Sequence, residues 1–392
     1  MNSDNLGVGA LTLANAEILR EAAKKAGVKA HFLAMSWQDP RPEYGEWDDI
    51  ENLHFRTRHI PGPSGPLAEG LRRADMVVDI GGGDSFTDIY GPKRFLTIWA
   101  TKMHAIRKRL PLILSPQTIG PFETRYAKAL AKWSLKRSKL VVSRDAPTTA
   151  FLTEMGVTER VLEATDVAMR LPYDPPAPRP AGGKIKVGIN VSGLLFSGGY
   201  TRSNQFGLKS DYPDLTRRII RYFQAQDNVE IHLVGHVQSH EIAVEDDHRV
   251  NLKLAEEFPD VVVSPFFKSP IDAKTYIAGL DYFMGARMHA TIAAFSSRVP
   301  VIPMAYSRKF RGVFGSLGYD RSVDCQNDST NEIMAAIEAG FADRATMLKE
   351  IDAALALVDQ RLDHYTDLVA EEMSRLKCAS SSARETTRGC QS

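Results

Sequence analysis

The chain has 392 residues, of which 43% are hydrophobic and 25% charged, so it is long enough for two globular domains of ordinary composition. Its 49 lysines and arginines nearly balance 48 aspartates and glutamates, which excludes recruitment of nucleic acid by overall charge. We therefore expect no nucleic-acid partner, and any site for an anion must be local.

The first half of the chain predicts a Rossmann-like domain over residues 1–170. Its opening segment, "DNLGVGALTLANAEILREAAKKAG", has glycines that lead into a helix, but the strand that should precede such a loop is absent. Strand-like runs then start at His31 ("HFLAM"), Met76 ("MVVDI"), Pro111 ("PLILS") and Lys139 ("KLVVS"). Amphipathic segments such as "KRFLTIWATKMHAIRKR" lie between them. Strands that alternate with helices are typical of a parallel sheet.

A proline-rich segment, "LPYDPPAPRPAGGK", interrupts this pattern at residues 171–184 and predicts an interdomain linker. The alternation resumes with "IKVGINV", "VEIHLVG", "DVVVSPF", "LDYFMGA" and "VPVIPMA", which predict a second Rossmann-like domain over residues 185–373. The polar tail, residues 374–392, is predicted to be disordered. The fold class is therefore α/β, and we expect two Rossmann-like domains that face each other across a cleft.

Glycines and polar residues follow three of the strands predicted in the first domain. In chain order they are Gly81, Gly82, Gly83, Asp84, Asp88, Gln117 and Arg144. The carboxyl ends of parallel strands line the ligand crevice of such sheets, so these residues predict a polar rim for a hydroxyl-rich ligand. The consecutive glycines do not match the dinucleotide fingerprint, and a plain tight turn is an equal alternative. Arg144 and its neighbour Asp145 are equally typical of a structural salt bridge.

Two other features have an ordinary and a functional interpretation. The basic run from Arg125 to Lys139 is typical of a solvated helix face, and the alternative is peripheral contact with an anionic membrane surface. His236 and His240 have helical i, i+4 spacing, but no glutamate lies where a zinc-protease helix would have it. We expect no metal.

The segment "GARMHA" places Arg287 and His289 directly after a predicted strand, in the first turn of a helix. Backbone N–H groups and the helix dipole favour an anion there, a guanidinium suits a carboxylate or phosphate, and an imidazole can move a proton. The next predicted strand leads into Arg308, Lys309 and Arg311 at the same edge of the sheet. Together they predict an anion site, and the alternative is solvated arginines with His289 capping a turn.

The cysteines and the apolar runs indicate a cytoplasmic protein. Cys325, Cys378 and Cys390 have no metal-ligand spacing and cannot all pair with one another, which is typical of a reducing compartment. No apolar run approaches the roughly 20 residues that span a bilayer. The N-terminus lacks a basic segment followed by an apolar core, so we expect no signal peptide.

Seven segments together resemble the polysaccharide pyruvyltransferase family. They are "NLGVGAL", "DIGGGDSFTD", "SPQTIGPF", "SRDAPTTAFL", "TDVAMRLP", "GINVSG" and "GARMHATIAAFSSRVPVIPMAYSRKFRG", and they cover roughly residues 5–320. The last is the most specific, because family members have Arg-x-His-Ala followed by a Val-Pro strand and a Tyr-x-x-Lys loop. The chain departs from the family at its start, where members begin with a strand and often have Asp in place of Val8.

The resemblance implies a GT-B-like enzyme with its active site between two Rossmann-type domains. Such enzymes transfer the pyruvyl group of phosphoenolpyruvate onto two hydroxyls of a sugar as a ketal and release phosphate. By resemblance, Arg287 and His289 contact the donor, with His289 as the acid/base group, and Lys309, beside Arg308, holds the phosphate or carboxylate. Arg144 is an additional contact from the facing domain. No cofactor or metal is implied.

On the acceptor side, the resemblance implies a role for the loop from Gly81 to Asp88, with Gly82 and Gly83 close to the ligand. Asp84 or Asp88 could act as the base for the sugar hydroxyl, and Gln117 could donate or accept hydrogen bonds. The acceptor is a sugar of a polysaccharide or of its lipid-linked precursor. Which sugar it is, and whether the protein is a homo-oligomer, stay open.

Two alternatives remain at this point. A nucleotide-sugar glycosyltransferase of the same architecture would need an acidic residue to hold a ribose, and residues 285–311 contain no Asp or Glu. A non-catalytic glycan-binding protein that keeps the fold would retain its binding when His289 is changed.

Overall fold

The computed structural model of the chain describes residues 2–37, 41–60, 64–177, 182–239 and 241–389. The side chains of Arg58, Arg308, Lys309 and residues 380–389 lie outside this description.

The chain divides into two compact α/β units. Unit 1 consists of Met1–Asn2, Leu11–Val167 and Asp359–Ser392. Unit 2 consists of Ser3–Ala10 and Ala168–Val358. The first boundary lies three residues before the predicted end of the N-terminal domain. The return of the C-terminal segment to unit 1 was not predicted.

Unit 1 contains a parallel pair of strands and a parallel four-stranded sheet. The pair is β1 (Phe32–Trp37) and β2 (Ile50–Phe55). The sheet has the order β3-β4-β5-β6, formed by β3 (Val77–Asp79), β4 (Leu112–Gln117), β5 (Leu140–Ser143) and β6 (Val161–Glu163). Every residue of β4 and β5 is buried, as expected for central strands covered on both faces. The four strands predicted in this half are confirmed, whereas β2 and β6 were not predicted.

Unit 2 contains a parallel six-stranded sheet with the order β12-β11-β10-β7-β8-β9. Its strands are β7 (Ile185–Asn190), β8 (Val229–Leu233), β9 (Val262–Val263), β10 (Tyr282–Gly285), β11 (Val301–Ala305) and β12 (Val323–Asp324). The five strands predicted here are confirmed, and β12 was not predicted. The chain builds outward from β7 to β9, crosses over to β10, and builds outward again to β12. The sheet therefore has a topological switch point between β7 and β10, which is where open α/β sheets bind ligands.

Helices connect the strands in both units. They are α1 (Leu6–Lys25), α2 (Pro66–Arg73), α3 (Pro92–Arg107), α4 (Arg125–Leu135), α5 (Ala146–Glu154), α6 (Gly193–Phe196), α7 (Tyr212–Gln224), α8 (Asp247–Glu257), α9 (Pro270–Ala278), α10 (Met288–Ser296), α11 (Arg308–Gly315), α12 (Thr330–Ala342) and α13 (Arg344–Gly389). Among the described residues, none of these helices is long and apolar enough to cross a membrane.

The first part of the predicted linker packs within unit 2. The buried Lys274 of α9 donates from Nζ to the carbonyls of Met169 (3.2 Å) and Leu171 (2.8 Å). The backbone N–H of Asp174 donates to Oγ1 of Thr275 at 3.0 Å. The segment following Val167 is thereby fixed to unit 2, and residues 178–181 of the predicted linker lie outside the described residues.

The C-terminal helix differs from the prediction. The second domain was expected to end at residue 373 and a disordered tail to follow, but α13 continues through residue 389 and its residues from Asp359 belong to unit 1. The hydroxyl of Tyr365 lies 2.7 Å from Oγ of Ser115 in β4, and both side chains are fully buried. Residues 374–388 contain no proline or glycine, so nothing in them breaks the helix. Residues 390–392 lie outside the described residues.

Candidate active site

The strongest candidate site lies in unit 2, at the switch point between β7 and β10. Strand β10 ends at Gly285, and Arg287 occupies the N-cap position of α10 with extended backbone. No side chain caps this helix. Among the described residues, nothing accepts a hydrogen bond from the N–H of Met288, the first residue of α10. The helix therefore presents a free donor and the positive end of its dipole at the edge of the sheet.

Arg287 is held by a buried carboxylate. Its Nη2 donates to Oδ1 of Asp247 at 2.8 Å, and its Nε lies 3.2 and 3.3 Å from the two carboxylate oxygens. Nη2 also donates to the carbonyl of Glu245 at 2.8 Å. Burial alone would lower the pKa of Arg287, but the charge and hydrogen bonds of Asp247 raise it above its ordinary value. Only 11% of the side chain is exposed, so this cation is permanent and fixed in direction.

Asp247 organises the backbone around Arg287. It is completely buried at the start of α8 and accepts three backbone N–H groups: Gly193 at 2.8 Å, His236 at 3.1 Å and Val237 at 3.0 Å. One side chain thus ties the loops that follow β7 and β8 to the arginine that follows β10.

Asn190, the last residue of β7, fixes the backbone of the arginine. Its Nδ2 donates to the carbonyl of Val234 at 2.9 Å, and its Oδ1 accepts the N–H of Arg287 at 2.9 Å. Gly285 lies directly against it, since a Cβ at position 285 would come within 2.7 Å of the Cβ of Asn190. The glycine of "GARMHA" is therefore required by close packing between two neighbouring strand ends.

His289 is the second residue of α10 and is half-buried. His236 belongs to the same site and is almost completely buried. Burial, together with the nearby His289 and Arg287, lowers the pKa of His236 to about 3. The ring of His236 is therefore neutral at neutral pH, and its side chain is less exposed than that of His289, although Nε2 of His289 is itself buried.

The basic loop after β11 is only partly described. The backbone of Arg308 and Lys309 begins α11 directly after this strand, at the predicted edge of the sheet, but their side chains lie outside the described residues. Arg311, which we expected in the same crevice, pairs with Asp324 at 2.8 Å and is 63% exposed. Because its guanidinium is already paired with a carboxylate, Arg311 is a weak candidate for binding an anion.

In unit 1 the structure brings together five of the predicted residues. Gly81, Gly82 and Gly83 form a tight turn with φ angles of 54°, 61° and 84°, a region that side chains disfavour. A Cβ at Gly81 would come within 2.5 Å of Oε1 of Gln117, and one at Gly83 within 3.1 Å of Nη1 of Arg144. The glycine turn thus packs directly over these two side chains.

Arg144 is a buried structural cation in unit 1. Its Nη1 donates to Asp166 at 2.9 Å, its Nε donates to Oγ1 of Thr118 at 2.9 Å, and only 1% of its side chain is exposed. Asp145, its neighbour in sequence, caps α5 by accepting the N–H of Thr148 at 2.8 Å, and its Oδ2 lies 4.0 Å from Nε of Arg144. The alternative interpretation of Arg144, a structural salt bridge, describes these contacts, and the closer carboxylate is that of Asp166.

The two candidate bases differ in their surroundings. Asp88 accepts the N–H groups of Glu123 (2.8 Å) and Thr124 (2.9 Å) and the hydroxyl of Thr124 (2.6 Å). Burial raises the pKa of Asp88, but these hydrogen bonds outweigh it and lower the pKa overall. Asp88 is therefore a poor proton acceptor. Asp84 accepts the exposed hydroxyl of Tyr90 at 3.0 Å.

Sequence reasoning missed Asp247 and assigned no role to Asn190, although "GINVSG" was among the matching segments. Asn190 could have been found as a polar residue that ends a predicted strand, like Gln117. Asp247 follows an aspartate, Asp246, that caps α8 in the usual way by accepting the N–H groups of His248 and Arg249. Nothing in the local pattern distinguishes the second aspartate as the partner of a distant arginine.

Comparison with known proteins identifies a family and a relative. The profile of the family described as "Polysaccharide pyruvyl transferase" matches residues 5–308. The amylovoran biosynthesis protein AmsJ of Erwinia amylovora is 21% identical over 299 residues, which cover 72% of this chain and 69% of that protein.

Three solved structures with a similar fold are named for, or crystallised with, a nucleotide sugar or a sugar phosphate. HepE of Anabaena, crystallised with UDP-glucose, superposes with a TM-score of 0.53 at 13% identity and covers 88% of this chain and 100% of its own. Sucrose-phosphate synthase from Thermosynechococcus elongatus gives a TM-score of 0.53 at 13% identity, with coverages of 94% and 93%. UDP-GlcNAc 2-epimerase from Methanocaldococcus jannaschii gives 0.52 at 10%, with coverages of 83% and 89%. Likeness at this identity establishes the fold alone, a GT-B-like pair of Rossmann-like units.

Proposed function

The chain belongs to the polysaccharide pyruvyl transferase family, and from this premise we propose that it transfers the pyruvyl group of phosphoenolpyruvate to two hydroxyls of a sugar. The product is a pyruvate ketal on a polysaccharide or its lipid-linked precursor, and phosphate is released. The observation that carries the proposal is Arg287. This permanent cation lies at the switch point of the unit 2 sheet, beside a free helix N-terminus and His289.

The chemistry of the donor matches this site. Phosphoenolpyruvate is compact and has an anionic group at each end, a carboxylate and a phosphate. The guanidinium of Arg287 is restrained by Asp247 through Nε and Nη2, and among the described residues nothing accepts a hydrogen bond from its Nη1. The fixed Nη1 of the guanidinium, next to a free N–H at the start of α10, suits one of these anionic groups. Lys309, at the start of α11, would bind the other, with Arg308 beside it.

His289 is proposed to move the protons. In its charged form it gives a proton to C3 of the enol, which leaves C2 electron-deficient and resembling an oxocarbenium ion. The oxygen of the first sugar hydroxyl then bonds to C2, and the neutral ring of His289 takes its proton. That proton passes to the phosphate oxygen as its bond to C2 breaks, and the second hydroxyl closes the ketal by bonding to C2 while its proton returns to His289. The atoms balance with one ketal and one phosphate for each phosphoenolpyruvate.

Arg287 is proposed to stabilise the departing phosphate. Charge accumulates on the bridging oxygen as the C2–O bond breaks, and a cation that is already oriented needs no reorganisation at that moment. The clamp by Asp247 supports this role, because it prevents the side chain from following the ligand out of the site. A lysine at position 287 would keep the charge but lose the planar pair of donors.

The test is phosphate release from phosphoenolpyruvate in the presence of a panel of lipid-linked or model glycosides. We expect the wild type to release phosphate only with an acceptor, and His289→Ala to lose at least about 10²-fold of that activity. His31→Ala is the matched control, since this histidine is 54% exposed in unit 1. Equal activity of His289→Ala and His31→Ala would contradict the assignment of His289.

Calorimetry separates the donor from the nucleotide alternative. We expect phosphoenolpyruvate to bind the wild type and UDP not to bind. If UDP binds and phosphoenolpyruvate does not, the protein is a nucleotide-sugar enzyme and the proposed function is wrong. If a glycan binds equally well to the wild type and to His289→Ala, and no acceptor elicits phosphate release, the protein is a non-catalytic glycan-binding member of the family.

A further inference from the structure

Gly7, near the start of α1, lies directly against the ring of His289. A Cβ at position 7 would come within 2.8 Å of Cγ and 3.0 Å of Cβ of His289, and closer still to Nδ1. Gly7 has ordinary helical backbone, so its backbone conformation does not require a glycine. A glycine is required because the ring of His289 occupies the space that a side chain at position 7 would need. We propose that Gly7 is a positioning residue for His289 and that the segment Asp4–Gly7 is part of the donor site; this inference rests on the proposed function.

The segment before Gly7 is fastened to the loop that follows β8. Asn5 forms an isolated antiparallel bridge with Val237, and the N–H of Leu6 donates to the carbonyl of His236 at 3.1 Å. The N–H of Gln238 donates to the carbonyl of Asp4 at 2.9 Å. These two hydrogen bonds define the bridge, and they fix the position of the first turn of α1. Gly7 is fixed further by its own N–H, which donates to Oδ1 of Asn5 at 3.0 Å.

The same loop holds Arg287 in place through Asp247. The carboxylate of Asp247 accepts the N–H groups of His236 and Val237 on one side and binds the guanidinium on the other. The loop after β8 therefore determines the position of Arg287 through Asp247, and that of His289 through Asp4–Gly7. The two groups assigned to donor binding and proton transfer thus share one structural support.

The helix that carries His289 has no room to move away from a larger residue at position 7. Ala290, Ile292 and Phe295 of α10 are all completely buried, so shifting this helix would disturb the core of unit 2. The contact therefore has to be relieved at the ring itself, by rotation of the His289 side chain.

The experiment compares Gly7→Ala with Gly315→Ala. Both glycines are helical, but a Cβ at Gly315 has nothing within 4 Å. Alanine is a better helix former than glycine, so neither substitution should lower the urea midpoint of unfolding unless the added Cβ clashes with a neighbouring atom. We expect Gly7→Ala to lower kcat for phosphate release by about 10²-fold, the cost of roughly 1 Å of misplacement, while Gly315→Ala matches the wild type.

Nuclear magnetic resonance of the His289 imidazole provides a measurement that does not depend on catalysis. The imidazole resonances of His289 are identified by their loss in His289→Ala. They should shift in Gly7→Ala and keep their wild-type positions in Gly315→Ala. Unchanged resonances and unchanged kcat in a folded Gly7→Ala protein overturn the inference.

A second variant applies if Gly7→Ala does not fold. Asn5→Ala removes the acceptor of the Gly7 N–H without adding bulk, and it should shift the His289 resonances and lower kcat in the same direction by a smaller factor. If neither changes, the inference is overturned. The proposed function fails separately, when the wild type releases no phosphate with any acceptor or when His289→Ala is fully active.

Discussion

Replacing Asp247 with asparagine keeps the shape of the side chain but removes its charge. The carboxylate receives Arg287 together with the N–H groups of Gly193, His236 and Val237. All of these are donors, so the new –NH₂ group of an asparagine would face a donor whichever way the amide is turned. The substitution therefore leaves a largely buried guanidinium without its counter-ion and at least one backbone N–H without an acceptor.

The expected cost follows from burial. Removing one partner of a buried ion pair destabilises a protein by about 3–5 kcal/mol, because an uncompensated charge remains inside. Asp247 is 0% exposed and Arg287 is 11% exposed, so solvent compensates little of this. The matched control is Asp352→Asn, which breaks the pair Arg298–Asp352 at the same distance of 2.8 Å. That pair is 61% and 51% exposed, and such pairs contribute about 0–1 kcal/mol.

Urea unfolding followed by far-UV circular dichroism measures the difference. Tryptophan fluorescence is unsuitable, because all four tryptophans precede residue 134 and belong to unit 1. Calorimetry with phosphoenolpyruvate supplies a second readout, since an unclamped Arg287 should bind the donor more weakly. If Asp247→Asn is no less stable than Asp352→Asn and binds the donor as the wild type does, Asp247 does not position Arg287.

Two further predictions concern buried groups elsewhere in the chain. Burial, together with the nearby His289 and Arg287, lowers the pKa of His236 to about 3. Between about pH 6.5 and pH 3 the unfolded state therefore binds up to one proton more than the folded state, so the free energy of unfolding falls as the pH falls. His236→Asn should remove about 2 kcal/mol of the stability lost between pH 7 and pH 5, measured by urea unfolding at both values; an unchanged pH dependence would show that His236 titrates normally. Tyr365→Phe removes the hydroxyl contact with Ser115 and should lower the free energy of unfolding by about 1–2 kcal/mol. Tyr126→Phe, at a 43% exposed residue of α4, is the control and should not change it measurably. Equal unfolding midpoints of the two variants would argue against the packing of α13 on β4.

The strands that the sequence predicted best are those that are buried along their whole length. These are β4, β5, β10 and β11, and each is mostly apolar, although β4 ends in Ser115, Pro116 and Gln117 and β5 ends in Ser143. Strand β12 has two residues and pairs at the sheet edge through only Val323 and Asp324, so no pattern could form. The return of α13 to unit 1 was unpredictable for another reason, since an amphipathic helix does not specify which core covers its apolar face.

In the candidate site, too, some residues could be predicted from the local sequence, whereas others depend on contacts between distant parts of the chain. Arg287 and His289 were predictable because a strand end, a helix start and two functional side chains occur within a few consecutive residues. Asp247 and Gly7 were not, because a second aspartate at a helix start and a glycine inside a helical first turn have no unusual local pattern. Their importance depends on which strand ends are neighbours, and that follows from the strand order.

The strand order also explains why one carboxylate can serve so much of the site. Because β7 lies between β10 and β8, the three loops that follow these strands meet at one edge of the sheet. Three loops that each carry backbone N–H groups, and one that also carries an arginine, need an acceptor at their meeting point, since buried donors without partners are costly. Asp247 is that acceptor. A neutral residue could satisfy some of the backbone groups, but only a carboxylate also fixes a permanent cation, whose Nη1 donates to no other described residue.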